Sequence, residues 1–442
     1  MSQPTPAHTT SARGLLRRRS LWIPSAVILG LLSFVLSLLY LGANNDPVGS
    51  MKDLPIAVVN EDRGAQAADR RIDLGTQITA QITGSAELEG KVAWKQVDRR
   101  TADELMADDK VFGALVVPDD FSASVAALAG PLQPGAHPPT VTVLTNPAAG
   151  SFGSTMASEI NQQVVRSVST RLGERLTQQL AQQAAQHPAQ QAGPPAAAGL
   201  MLDDPIRTTV RTGHPLGDHS GLGMSAFFYT LVLVLGGMLG ANVIHAQLDT
   251  ALGWLANDKG PFRSLKPAQH LSRVGHFAVG SVLMVALSML TSALALAAAA
   301  GVIGIDAPHL PMLWLFGTCA TAAMGITALA LLAAFGTPGP IVSMLILIGL
   351  AVPSAGGTVP LQALPSFYRF LGEFEPFRQV VDGVRAILYF DARTGAGLGR
   401  AWTMVGLGFA LSVALGLLVT RLYDRRGLHR SAPLTPAAQA IG

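Results

Sequence analysis

Apolar and polar stretches divide the sequence into two unlike parts. The longest polar interval, 178 residues from Ala43 to Ser220, lies between two uninterrupted apolar runs. The first run, Leu21–Gly42, has 22 residues without a charge. At about 1.5 Å per residue, a helix of this length crosses the ~30 Å hydrocarbon core of a bilayer. Gly221–Ile244 has the same character, so the pattern predicts two membrane helices with a large polar insert between them.

The sequence after the insert is almost wholly apolar and predicts four more spans. They are Val274–Val302, Leu310–Phe335, a shorter one near Gly339–Pro353, and Ala401–Thr420. The third of these has only 12 uninterrupted uncharged, mainly apolar residues, 341–352, so it is either a full span or a re-entrant or broken helix. The Gly- and Pro-rich stretch 353–360 is not expected to be regular helix.

Within the insert, short β-branched runs alternate with helical patterns. The predicted strands are Leu54–Asn60, Lys91–Val97, Val111–Val117 and Thr140–Leu144. The predicted helices are Ala67–Ile82, Thr101–Asp108 with Thr101 as its N-cap, and a long amphipathic helix at Ser151–Gln186. This alternation predicts a small α/β domain.

Charge separates the two parts further. Residues 43–220 carry 14 Lys and Arg against 20 Asp and Glu, a net −6, whereas the rest carry 17 against 8, a net +9. Twelve of these 17 basic residues lie beside the apolar runs, at 13–19, 259–273 and 421–430, and the other five, between 369 and 400, disagree with this pattern but are nearly balanced by acidic residues. Because Lys and Arg concentrate on the cytoplasmic side of membrane helices, we expect a multi-pass plasma-membrane protein with both termini inside and residues 43–220 outside.

The predicted fold class is therefore an α-helical polytopic membrane protein of about six transmembrane helices, with an α/β extracytoplasmic domain between helices 1 and 2. The predicted units are a cytoplasmic tail at 1–20, helix 1 at 21–42, the α/β domain at 43–220 with a Pro/Ala-rich joint at 187–199, a five-helix membrane domain at 221–420, and a cytoplasmic tail at 421–442. The membrane domain contains a cytoplasmic loop at 245–273 and an outer re-entrant or amphipathic segment at 353–400.

Motifs for catalysis do not occur in the sequence. It has no P-loop, no His-Glu-x-x-His, no Gly-x-Ser-x-Gly and no paired-cysteine spacing. No catalytic, cofactor or metal site is predicted, an enzyme is not expected, and the basic clusters are assigned to membrane orientation rather than to nucleic acid. His245 and His276, at span ends, are interpreted as solvated interfacial side chains.

Three other segments carry specific predictions. Gly236 and Gly240 form a Gly-x-x-x-Gly pair that permits close helix approach, within the bundle or between two copies. Apolar residues at helical spacing across 248–255 predict a short amphipathic helix along the inner membrane face, which is either a docking place for a cytoplasmic partner or an interfacial anchor. The pattern at 377–388 predicts an amphipathic helix that lies at the outer interface or dips into it.

Three stretches also carry a family resemblance: LPIAVVNEDRG at 54–64, VFGALVVPDDFSASV at 111–125, and PSAGGTVPLQALPSFYRFLGEFEPFRQVVDGVRAILY at 353–389. With one helix, an α/β insert and five further spans, the sequence resembles the YhgE/Pip (phage infection protein) group of the type-2 ABC exporter permeases over nearly its whole length. The resemblance implies a permease that forms a homodimer or heterodimer in the bilayer. It also implies that the permease moves an amphiphilic or polymeric substrate outward, driven by a separate ABC ATPase.

The resemblance also assigns residues by position. The coupling role toward the ATPase falls on Asp249, Leu252, Trp254, Asp258 and Lys259. The outer gate falls on Pro353, Gly356, Gly357, Pro360, Glu373, Asp382 and Arg385. The loop departs from many such permeases, because it has AQLDTALG at 246–253 in place of their E-x-x-x-G-T stretch.

A second hypothesis comes from another functional class. The chain would be a non-transporting membrane scaffold or receptor whose ectodomain binds an envelope, secretion or phage partner. The two hypotheses differ in whether the chain couples to an ATPase.

Overall fold

The computed structural model describes residues 17, 19–67, 70–129, 137–186, 204–259 and 261–428. The predicted joint at 187–199, and most of both predicted tails, lie outside the described residues. The helices are α1 Arg19–Ala43, α2 Leu74–Thr83, α3 Arg99–Ala107, α4 Phe121–Ala129, α5 Ser151–Gln186, α6 Ser225–Ala251, α7 Arg273–Leu296, α8 Leu310–Phe335, α9 Gly339–Ser354, α10 Ser366–Phe374, α11 Pro376–Tyr389 and α12 Leu398–Arg425. The strands are β1 Leu54–Asn60, β2 Ala65–Ala67, β3 Arg70–Ile72, β4 Val92–Gln96, β5 Gly113–Val117, β6 Thr140–Thr145, β7 Arg207–Thr212, β8 Asn257–Lys259 and β9 Phe262–Ser264.

Within the described part of the chain, five helices, α1, α6, α7, α8 and α12, are long and apolar enough to cross a membrane. Helix α7 continues through a π-helical turn to Ile303. The predicted fifth span is present as α9, a shorter apolar helix with a π-helical turn at Leu345–Leu350. The architecture is thus the predicted polytopic helical protein with an inserted α/β domain.

Helix α8 forms the centre of the bundle. Of its most apolar 18 residues, 72% are buried, against 22% for α7 and α12 and 11% for α1. Helices α6, α7 and α12 all pack on α8, and its many Ala, Gly and Thr residues allow this close approach. The predicted glycine pair acts within the bundle, because a Cβ on Gly236 would lie 2.9 Å from Thr291 of α7 and one on Gly240 would lie 3.4 Å from Met284.

The inserted domain, residues 54–212, contains a five-stranded sheet of order β4-β1-β5-β6-β7; we call it the sheet domain. Strand β1 is parallel to β4 and β5, β6 is antiparallel to β5, and β7 is parallel to β6. Helices α2, α4 and α5 cover one face, and α3 covers the other. Every residue of β5 is buried, as expected for a strand covered on both faces.

Two local predictions in this domain are corrected, and one strand was missed. The helix predicted to begin at Ala67 begins at Leu74, because the hairpin β2–β3 occupies the preceding residues and Asp73 provides the N-cap, accepting a hydrogen bond from the Thr76 backbone N–H. Helix α3 begins at Arg99, and its N-cap is Asp98 rather than Thr101. Strand β7 was not predicted.

The sheet domain is packed directly onto one end of the bundle, which we call the sheet side. Buried residues of α1, β1, α5 and α10 form one apolar cluster that includes Leu39, Leu54 and Tyr368. The Tyr368 hydroxyl donates to the Leu38 carbonyl at 3.0 Å, and the Lys52 backbone N–H donates to the Gln362 carbonyl at 2.7 Å. The domain therefore shares a core with the bundle rather than being tethered to it.

The two predicted amphipathic helices differ in outcome. The pattern at 377–388 forms helix α11, whose Phe377, Val380 and Val384 are fully buried against the bundle and whose polar face meets the sheet domain. No separate helix forms at 248–255, because α6 continues to Ala251. A turn at Gly253, with φ of 73°, then leads into the hairpin β8–β9. We call this opposite end of the bundle the hairpin side.

Candidate functional site

A cavity of about 330 Å³ lies at the sheet side, between the sheet domain and the segment from α9 to α12. It brings together four of the predicted gate residues: Gly356, Pro360, Asp382 and Arg385. Residues of the sheet domain complete its wall, notably Asp109 and Lys110. The cavity is thus formed jointly by the two parts of the chain.

The centre of this site is Arg385, whose side chain is only 8% exposed. Its Nη1 lies 3.9 Å from Asp109 Oδ2 in the sheet domain and 3.8 Å from Asp382 Oδ1 one helical turn away. Its Nε is buried and has no hydrogen-bond partner among the described residues. The guanidinium therefore has unused donor capacity beside a cavity, where unsatisfied buried donors are costly.

Two further arginines extend the network toward solvent. Arg378 lies between Asp382, at 3.5 Å, and Glu373, at 3.3 Å. Arg400 contacts the other side of Glu373 at 2.9 Å. The hydrogen bond from Arg400 holds the pKa of Glu373 below its usual range, so this carboxylate stays charged at the rim.

The pKa of Asp109 is shifted in the opposite direction. Burial raises its pKa to about 7, although the nearby Arg385 acts to lower it. Burial likewise raises the pKa of Asp382, and Arg385 opposes it. Because desolvation disfavours the charged carboxylate, Asp109 gains and loses its proton near neutral pH.

The cavity wall carries more basic than acidic side chains. The basic residues are Lys110, Arg378, Arg385 and Arg400, and the acidic ones are Asp109 and Asp382. Protonation of Asp109 increases the positive excess. A site of this charge, partly enclosed and next to the apolar bundle, suits an anionic group attached to an apolar body.

The remaining predicted gate residues lie around the cavity rather than in its wall. Pro353 is buried in the last turn of α9. Gly357 packs against the Phe227 ring, which leaves no room for a side chain. Glu373 forms the rim described above. The prediction missed Asp109, Arg378 and Arg400, and no sequence signal connects Asp109 with α11.

On the hairpin side, two of the predicted coupling residues, Asp249 and Trp254, contact histidines. Asp249 lies in the last turn of α6, with Oδ1 3.0 Å from His276 Nε2 and Oδ2 3.7 Å from His245 Nε2. The Trp254 ring stacks on His276 at 5.5 Å, and its Nε1 donates to the Gln269 carbonyl at 3.0 Å. Because the His276 side chain is only 10% exposed and that of His245 17%, the prediction of solvated histidines is wrong.

The other coupling residues belong to the hairpin and its base. Leu252 is half-buried, and its carbonyl accepts from the Gln269 backbone N–H at 2.9 Å. Asp258 pairs with Arg263 across the hairpin at 3.6 Å, and Lys259 ends β8. Three apolar side chains near them are exposed: Leu255 at 53%, Phe262 at 78% and Leu265 at 61%.

Comparison with known proteins identifies the family of this chain. The profile of the family described as "Protein of unknown function (DUF3533)" matches residues 25–408. The chain belongs to this family. It is also 32% identical, over 111 residues, to "Uncharacterized protein YhgE" of Bacillus subtilis (strain 168). That match covers 23% of this chain and 14% of the length of YhgE. The predicted membership of the YhgE/Pip-like family is confirmed.

Proposed function

We propose that this chain is the membrane permease subunit of an ABC-type exporter, YhgE/Pip-like, which moves an amphiphilic or polymeric substrate outward with energy from a separate ATPase. The observation that carries the proposal is the path of α6. This one helix, 27 residues long, begins against α11, which lines the sheet-side cavity, and has Asp249 in its last turn, shortly before the hairpin. A force applied to the hairpin therefore has a continuous rigid element through which to act on the cavity.

The sheet-side end of α6 is tightly fixed to α11. Phe227 of α6 packs edge-on against Phe377 at 5.6 Å. The Tyr389 hydroxyl accepts a hydrogen bond from the Ala226 backbone N–H at 3.2 Å. Movement of α6 along or about its axis would thus displace the helix that carries Asp382 and Arg385, so a rigid link between ATPase and substrate cavity is physically available.

In the proposed orientation, the hairpin and both termini are in the cytoplasm of the cell, and the sheet domain is outside the plasma membrane. Arg273 and the basic residues at the end of α12, Arg421, Arg425 and Arg426, support it, because all lie on the hairpin side. The exposed apolar residues of the hairpin would then be covered by the ATPase. The transporter in the bilayer would be a dimer, either of two copies of this chain or of this chain and a homologue.

Co-purification tests the proposal. The chain is extracted from its native membranes in mild detergent and captured, and ATPase activity in the captured complex is measured. We expect an associated ATPase whose activity falls when Trp254→Ala is introduced and stays unchanged with Trp402→Ala, a matched substitution on α12. Absence of any ATPase from both the wild-type and variant complexes would refute the exporter proposal.

Orientation has a separate test by cysteine labelling in intact cells, on a Cys319→Ala background. A Ser85→Cys variant should react with a membrane-impermeant maleimide, and a Ser264→Cys variant should react only after lysis. The reverse pattern would refute the orientation.

A second candidate function is supported by the edge of the sheet. Strand β7 is an edge strand, mostly exposed, with Val210 48% exposed. An open edge can accept a strand from another chain, which fits a scaffold or receptor that binds an envelope, secretion or phage partner. If Asp249→Asn and Trp254→Ala leave every cellular phenotype intact while Val210→Pro abolishes it, this alternative replaces the exporter.

A further inference from the structure

The hairpin side contains a cluster that the transport proposal uses only through Asp249. His245 and Asp249 are one helical turn apart on α6 and so share a face, and His276 lies in the first turn of α7. One donor atom from each of the three residues lies within 4.8 Å of the other two. His276 is 27 residues from Asp249 in the sequence and lies on another helix. The fold, rather than proximity in the sequence, therefore brings it to the other two residues.

We propose that His245, Asp249 and His276 form a binding site for a divalent transition metal ion. Two imidazoles and one carboxylate are a donor set that such ions take up, with zinc preferred among the common ions of open tetrahedral sites. Metal–donor bonds of 2.0–2.1 Å place tetrahedral ligand atoms about 3.3 Å apart. The His276 Nε2 lies 3.0 Å from Asp249 Oδ1 and the His245 Nε2 lies 3.7 Å from Asp249 Oδ2, so each imidazole approaches one carboxylate oxygen at a separation close to this value.

The surroundings suit a bound ion. A cavity of about 230 Å³ reaches His245 and His276 from between α8 and α12, so an ion can enter and keep a water molecule as fourth ligand. Arg273 also lines the cavity. Its Nε, however, donates to the Leu428 carbonyl and its guanidinium lies over the Tyr423 ring, so its charge is engaged at the end of α12.

Trp254 adds a supporting contact. Its ring lies parallel to the His276 imidazole, with an interplanar angle of 17°, and its indole N–H fixes it to Gln269 at the far end of the loop. Packing that fixes the orientation of a histidine also fixes the direction in which its nitrogen points. A metal at this site would join α6, α7 and the base of the hairpin.

The experiment measures zinc binding by the full-length chain, purified without a histidine tag in detergent and freed of metal by chelator. Titration with Zn²⁺ against a chromogenic zinc indicator should give one site per chain. The variants His276→Gln, His245→Gln and Asp249→Asn should each weaken it by at least about tenfold, the effect of losing a metal-site partner. His309→Gln is the matched control, since His309 also contacts an aspartate, Asp391, at 2.7 Å, on the sheet side.

A second measurement, of the melting temperature, tests variants that fold poorly. Zinc that binds only the folded state raises the melting temperature, so saturating Zn²⁺ should raise it for wild type and for His309→Gln but not for the site variants. Tight binding in all site variants, or no zinc-dependent shift in the wild type, would overturn the proposal.

Discussion

The sheet domain and the hairpin β8–β9 are attached to the same bundle in opposite ways. The sheet domain shares an apolar cluster with α1 and α10 and adds an ion network around the buried Arg385. The hairpin is held at its base by Trp254 and Gln269, while Phe262 at its tip is 78% exposed. The sheet domain is therefore fixed to the bundle by a shared core, whereas the hairpin has contacts at its base and leaves apolar side chains exposed.

The largest effect should come from Arg385→Ala. This change removes the cation that Asp109 and Asp382 share. Because these carboxylates are 18% and 25% exposed and Arg378 still faces Asp382, we expect the free energy of unfolding to fall by about 3 kcal/mol, the lower end of the range for a broken buried pair. Denaturant unfolding in detergent measures it. Arg393→Ala is the control, because its pair with Asp108 is exposed, at 49% and 38%, and such pairs contribute about 0–1 kcal/mol. Equal losses in both variants would mean that the network is no more than surface charge.

A smaller effect is expected for Gly383→Ala in α11. The new Cβ would meet the Phe316 ring and would lie 2.9 Å from Ala401 Cβ, and overpacking of this kind costs about 1–3 kcal/mol. Gly408→Ala on α12 has nothing within 4 Å of its Cβ and should show no loss. A fully stable Gly383→Ala variant would show that α11 packs more loosely than described.

The third prediction concerns pH. The pKa of Asp109 rises from 3.8 to about 7 on folding, so the folded chain binds a proton that the unfolded chain lacks between these values. Stability contributed by this proton is fully present below about pH 3.8 and is lost as the pH rises through 7. In Asp109→Asn, melting temperatures measured from pH 4 to pH 8 should fall less steeply than in wild type. The difference is at most about 1.4 kcal/mol per pH unit. An unchanged slope would assign the proton elsewhere, for example to Glu375, whose pKa burial raises to about 8.

The smallest effect on stability should come from Phe262→Ala. Because this side chain is exposed, we expect a change of less than about 0.5 kcal/mol, together with loss of the ATPase from the co-purified complex. Leu428→Ala, another exposed apolar change on the hairpin side, should retain the ATPase. If Phe262→Ala destabilised the chain as much as Gly383→Ala, the contrast between the two attachments would disappear.

Sequence patterns predicted an element accurately where the pattern was local. The bounds of β1, α5 and α8 were predicted to the residue, because each is a continuous β-branched, amphipathic or apolar run. Strand β7 was missed because RTTVRT has one large apolar residue, and its conformation comes from pairing with β6. Contacts between residues that are distant in the sequence were missed for the same reason. Nothing near Asp109 in the sequence indicates Arg385, and nothing near His245 indicates His276.

Helix α8 has a consequence for the route of any transported molecule. Helices α6, α7 and α12 pack around it, and 72% of its most apolar stretch is buried. In the proposed exporter, a route along the outer surface of the bundle would avoid this packed centre. The seam beside α1 offers such a surface, since α1 is 11% buried and meets α9 through the hydrogen bond from the Tyr40 hydroxyl to the Ile348 carbonyl. In the proposed dimer, a second copy placed against that seam would cover the exposed side of α1.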